Sequence, residues 1–129
     1  MRTATLLFLI CASVVLLLVS AEGQQRPDAV AKGFMRAKLG HAQHILEGIT
    51  LEDFSLIARH AEQLKALSFD AGWQVIRTED YVRHSEEFRR AADKLALAAQ
   101  EKNLEAGLLA YFRLTQNCVD CHAHVRNQR

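Results

Sequence analysis

From Pro27, the only proline, to the C-terminus, apolar residues recur every three or four positions in four helix-length stretches, and nothing reads as strand. A chain patterned this way can bury its apolar stripes only by packing helix on helix. Segment A runs from about Ala29 to Glu47 and ends near Gly48; Phe34, Met35, Leu39, Ala42, Ile45, Leu46 and Ile49 form its apolar face. Segment B starts at Thr50, a capping hydroxyl with Glu52 and Asp53 in the first turn, and carries Phe54, Ile57, Ala61 and Leu64 on one face to about Leu67. Thr78, followed by Glu79 and Asp80, caps segment C, whose inner stripe is Tyr81, Ser85, Phe88, Ala92, Leu95 and Ala99. Asn103 caps segment D, with a stripe of Leu104, Leu108, Tyr111, Thr115, Cys118 and His122. The stretch from Ser68 to Arg77 lacks a clean period and is too apolar for an exposed loop, so it is expected to fold over the core. Four amphipathic helices with mostly short connections predict an all-α, antiparallel up-down-up-down four-helix bundle, one domain over residues 29–129.

The first 21 residues have a different character. Arg2, an apolar run from Leu6 to Val19, and Val19-Ser20-Ala21 make the charged start, apolar middle and small-residue cleavage site of a secretory signal peptide, with 22–28 as a flexible mature N-terminus. The run is short for a membrane span, so no stable span is expected after cleavage, and the mature chain is expected in the periplasm or otherwise exported. Cys11 belongs to that run, since bulky Ile10 before it makes a poor lipoprotein site. Removing 21 of 129 residues leaves 108, with two cysteines and no disulfide framework. Losing Arg2 from 16 basic residues leaves 15 against 15 acidic ones. There is no basic stripe, which argues against nucleic-acid binding.

The two remaining cysteines stand in Cys118-Val119-Asp120-Cys121-His122, a C-x-x-C-H run. This is the pattern by which two thiols capture the vinyl groups of a haem and the adjacent histidine binds its iron. Residues three and four apart share one helix face, so all three side chains can address one flat macrocycle. A thioredoxin-like redox pair needs a βαβ context and a zinc site needs two further ligands; neither is present. One motif implies one covalent haem c, held inside the bundle because the motif continues the inner stripe of segment D.

An exported chain, four amphipathic helices, C-x-x-C-H in the last of them and Arg126 four residues after the histidine together resemble the class II cytochromes c, the cytochrome c-prime family, over 29–126. The resemblance implies thioethers at Cys118 and Cys121, His122 as proximal ligand, and Arg126 beside the haem on that side. It also implies that Trp73, in the connection between B and C, and Phe88 pack near the haem, although both read equally well as ordinary core aromatics. Antiparallel dimers are common in the family, so a homodimer is compatible with it.

The sixth coordination position lies on segment A. Met35 stands about six residues into A, roughly 9 Å of rise, and His122 about four residues from the end of D, roughly 6 Å, so the two fall within about one turn in height. In the resembled family the distal residue precedes a basic residue near the start of the first helix, as Met35 precedes Arg36; it is methionine in six-coordinate members and a blocking group in five-coordinate ones. Met35 is therefore the expected sixth ligand. The competing readings are Met35 as core filler, Leu39 as the residue over a five-coordinate iron, and a bis-histidine site through His41. His44, His60 and His84 read as surface or flank residues, and His124 as pointing away from the haem.

These assignments imply a carrier of single electrons between redox-protein donors and acceptors, not an enzyme, since axial methionine raises the potential and closes the iron to oxygen chemistry. The alternative is a five-coordinate haem protein, like cytochrome c-prime itself, that binds nitric oxide or carbon monoxide. A peroxidase would need an open iron and a distal acid-base group, for which His41 is poorly placed. No Ser-His-Asp set, paired-carboxylate site or phosphate loop stands out.

Overall fold

The computed structural model describes residues 27–70, 72, 73, 76 and 78–127, with side chains from Ala31 on. The expected leader, 1–21, lies outside the described residues. The chain divides into a unit of residues 1–30 and one of residues 31–129, and the second carries all the packing described below. Among the described residues four helices follow one another: α1 (Pro27–Leu51), α2 (Phe54–Leu67), α3 (Glu79–Gln100) and α4 (Leu104–Asn127). No strand occurs among the described residues. They form a four-helix bundle, with α3 packed against both α2 and α4. Pro27 and Asp28, expected in the flexible N-terminus, already belong to α1. None of the helices among the described residues is long and apolar enough to cross a membrane.

The α1–α2 and α3–α4 turns are built alike. Each helix ends with a non-glycine residue in the left-handed region, Glu52 at φ 55° and Lys102 at φ 52°. The next N–H then reaches back to a carbonyl five residues earlier, Asp53 to Gly48 at 2.8 Å and Asn103 to Ala98 at 2.9 Å, which is the Schellman closure. The same Asp53 and Asn103 side chains cap the following helices by accepting from the N–H groups of Leu56 (2.9 Å) and Ala106 (3.0 Å). Asn103 was legible as a cap. The α2 boundary was not: α1 runs on through Thr50, whose hydroxyl donates to Glu47 O at 2.8 Å, so Asp53 and not Thr50 caps α2. Gly48 does not end α1 but lets α2 approach, since a Cβ there would lie 2.8 Å from Ile57 Cγ1 and 3.1 Å from Asp53 O.

The inner stripe of α3 is buried as expected, Tyr81, Ser85, Phe88, Ala92, Leu95 and Ala99 all lying in the core. Trp73, in the preceding connection, packs onto it and is locked there. Trp73 Nε1 donates to Ser85 Oγ at 2.8 Å, Ser85 Oγ donates to Tyr81 O at 2.8 Å, and Tyr81 Oη donates back to Trp73 O. Burial pushes the Tyr81 phenol up to about 12, so it keeps its donating proton. A tryptophan can be buried only if its N–H finds a partner, and Ser85 is that partner.

The outer two helices are rotated relative to their apolar patterns. On α1 the buried residues are Lys38, Ile45 and Ile49, while Leu39 and Leu46 are 48% and 46% exposed. At about 100° per residue this turns the buried face roughly 40° from the expected one. On α4 the buried residues are Gly107, Ala110 and Leu114, while Leu108 is 53% exposed and Thr115 is exposed too, a turn of roughly 80°. Gly107 and Ala110 face the alanine-rich end of α3, where a Cβ on Gly107 would make an ordinary contact, 4.0 Å from Ala98 Cβ.

Candidate functional site

The rotation of α4 decides how its motif is presented. Cys118 and Cys121 fall on either side of the buried meridian and pack against the core, both half-buried and neither in a disulfide. His122 falls at the edge of that face and is exposed. The Cys118 thiol donates to Leu114 O at 3.2 Å, one turn back.

A cavity of about 370 Å³ opens beside this stretch. Its α4 wall is Leu114, Cys118 and His122; its α1 wall includes Met35, Lys38, Leu39 and Ala42; Leu64 of α2 and Phe88 of α3 close the back. Met35 is half-buried there. Leu39 shares the wall, so both residues expected near the sixth position line the same space as His122. Trp73 does not line the cavity but stands behind Phe88, ring centroids 4.9 Å apart, with Phe34 edge-on to it at 6.1 Å. Cys121 also lies behind the lining. Arg126 is exposed in the last turn of α4, close enough to His122 to depress its pKa.

The sequence pattern gives Lys38 no place in this wall. Lys38 is only 7% exposed, and its Nζ lies 4.0 Å from the centroid of Trp73 and 4.1 Å from that of Phe88. Burial lowers its pKa, against the opposing influence of the Cys118 and Cys121 thiols. Burial likewise raises the Cys121 thiol, which Lys38 partly offsets. His122 is pushed down by burial first, then by Lys38 and Arg126, which favours the neutral imidazole that a metal requires. The signal for Lys38 is its angle, between Ile45 and Ile49 on the helical wheel; its charge keeps it out of an apolar stripe.

The other histidines are engaged elsewhere. His41 Nδ1 lies 2.8 Å from His60 Nδ1, and His44 stacks on His60 at 4.6 Å, so His41 faces α2 and does not line the cavity. His84 is more enclosed than a surface residue, its ring 5.5 Å from that of His124.

No protein-family model and no curated protein match the chain. Solved structures do. A ferrous arginine-to-lysine variant of cytochrome c-prime from Alcaligenes xylosoxidans with nitric oxide bound superposes with a TM-score of 0.56, at 20% identity over 79% of this chain and 96% of that one. The fold is that of cytochrome c-prime. The nitric oxide complex of a leucine-to-valine variant of the same cytochrome matches similarly, with a TM-score of 0.55, 21% identity, and 78% and 96% coverage. In the cytochrome c-prime fold of this chain, the donor set of α4 suits a haem: two unpaired thiols three residues apart on the buried side, an adjacent imidazole biased to its neutral form, and an apolar cavity in the size range of small-molecule and cofactor sites.

Proposed function

We propose that the chain is an exported single-haem c-type cytochrome that carries electrons between redox proteins. Cys118 and Cys121 would hold the haem as thioethers, His122 would be its proximal ligand and Met35 its sixth ligand. The observation that supports this most is that Cys118, His122 and Met35 line one cavity, from two different helices. The haem supplies a one-electron ferric–ferrous couple; the chain supplies everything around it. Phe88 and Leu64 exclude water from the back of the cavity, Arg126 puts a cation beside His122, and the Met35 thioether offers a soft donor on the distal wall. Export is supported by the leader-like first 21 residues. No catalytic turnover is proposed.

Absorption spectra of ferric and ferrous holoprotein test the assignment. The ferric form is expected to be low-spin with a weak far-red methionine-to-iron band, and Met35→Ala should abolish that band and open the ferrous iron to carbon monoxide. Acid-acetone extraction should leave the haem on the protein.

A second reading has its own support: the structures that share this fold carry bound nitric oxide, and Leu39 lines the cavity beside Met35. A wild-type ferric spectrum that is already high-spin, with rapid nitric oxide or carbon monoxide binding, would replace the electron carrier with a gas-binding protein.

A further inference from the structure

Lys38 has no part in haem attachment or ligation as assigned above, yet it is the most deeply buried charged side chain of the cavity wall. Among the described residues no carboxylate and no hydrogen-bond acceptor meets its ammonium; only the faces of Trp73 and Phe88 do. Burying an ammonium without a counter-charge is costly, and aromatic faces offset only part of that cost. Stability alone therefore favours an apolar residue here. A charge kept in so poor a structural environment points to a use for its field, which reaches far in a desolvated cavity. The field falls on the motif: Lys38 shares the cavity with Cys118 and His122, and its charge is felt at Cys118, Cys121 and His122.

We propose that the Lys38 ammonium sets the reduction potential of the haem by favouring ferrous over ferric iron, because the reduced centre carries one positive charge fewer. The inference rests on the haem reading above. In the redox step one electron arrives from a donor protein and reduces the iron, and no bond forms or breaks. The role of Lys38 is positioning of charge, not ligation, and its wall-mate Met35 remains the sixth ligand.

Spectroelectrochemical titration of holoprotein, wild type against Lys38→Met and Lys38→Arg, tests this. Methionine keeps an unbranched side chain of similar reach while removing the charge; arginine keeps the charge. At the ambient potential that half-reduces wild type, Lys38→Met should show a roughly tenfold lower ferrous-to-ferric ratio, a 59 mV fall for a one-electron couple. Lys38→Arg and the control Lys94→Met, an exposed α3 residue outside the cavity, should stay within about twofold of wild type, and all absorption spectra should coincide. Lys38→Gln serves as a second neutral variant should Lys38→Met fold poorly. An unchanged or raised potential in the neutral variants overturns the proposal, and so does a ferric spectrum changed in both Lys38→Met and Lys38→Gln, which would mean that residue 38 acts through the iron's coordination and not through its charge. If wild-type protein carries covalent haem, those outcomes remove the charge role alone; if it carries none, the haem reading falls with it.

Discussion

On the α2–α3 side of the bundle, every side-chain polar group of the Trp73–Tyr81–Ser85 set has its partner inside the protein, and Trp73 lies locked on the α3 face. On the α1–α4 side, the Cys118 thiol, the His122 imidazole and the unpaired Lys38 ammonium line a cavity of about 370 Å³, with the Cys121 thiol behind the lining. Both sides are built from the same kind of amphipathic helix, so pattern does not separate them. Completion does: the first side is satisfied by protein atoms alone, whereas the second combines void, desolvated charge and unused donors, each unfavourable unless something fills the space. A core that is finished on one side and open on the other is what a cofactor-dependent bundle should show.

The largest effect should come from denying the open side its guest. A Cys118→Ala, Cys121→Ala chain made without haem must keep a void or collapse around it, at a cost on the order of several kcal/mol given about 24 cal/mol per Å³ of residual cavity. Circular dichroism should show a low or poorly cooperative melt; a cooperative transition close to that of holoprotein would erase the contrast between the sides.

The closed side can be broken separately. Ser85→Ala strands the buried Trp73 Nε1–H and should cost about 1–3 kcal/mol, seen as a lower denaturation midpoint of holoprotein. Its haem spectrum should stay that of wild type, because Trp73 stands behind Phe88 and not on the cavity wall. A spectral change of the size caused by Met35→Ala would show that the two sides are coupled.

The smallest expected effect is at the α1–α2 seam. His41 and His60 both have folded-state pKa values below the ordinary 6.5, through burial and then the neighbouring histidines. Each is thus more easily protonated when unfolded. Their contribution to stability is complete above about pH 6.5 and is lost as pH falls below it. Melting temperature measured from pH 7.5 to 5.5 should decline slightly, and His60→Asn should flatten that decline; an identical slope in the variant would remove the seam from the account.

Much of this was legible in the chain. Four helices, the Thr78 and Asn103 caps, the inner stripe of α3 and the Cys118–His122 motif all rest on short-range regularities: side-chain periodicity, a capping oxygen two or three residues before the N–H it accepts from, and fixed spacing. The end of α1 is not legible because Glu52 occupies the left-handed position where glycine is the usual signal, and because Gly48, which resembles a stop, serves the approach of Ile57.

What only the tertiary structure decided was the rotation of α1 and α4. An apolar arc wider than the contact it makes leaves its centre undetermined, and the packing chooses it: α4 is turned so that Gly107, Ala110 and Leu114 face the core, its thiols straddle the buried face and His122 comes to its edge. The same choice on α1 buried Lys38 against Trp73 and Phe88. Periodicity is a property of one helix, whereas the facing of a helix, and the burial of a charge that follows from it, is a property of the pair.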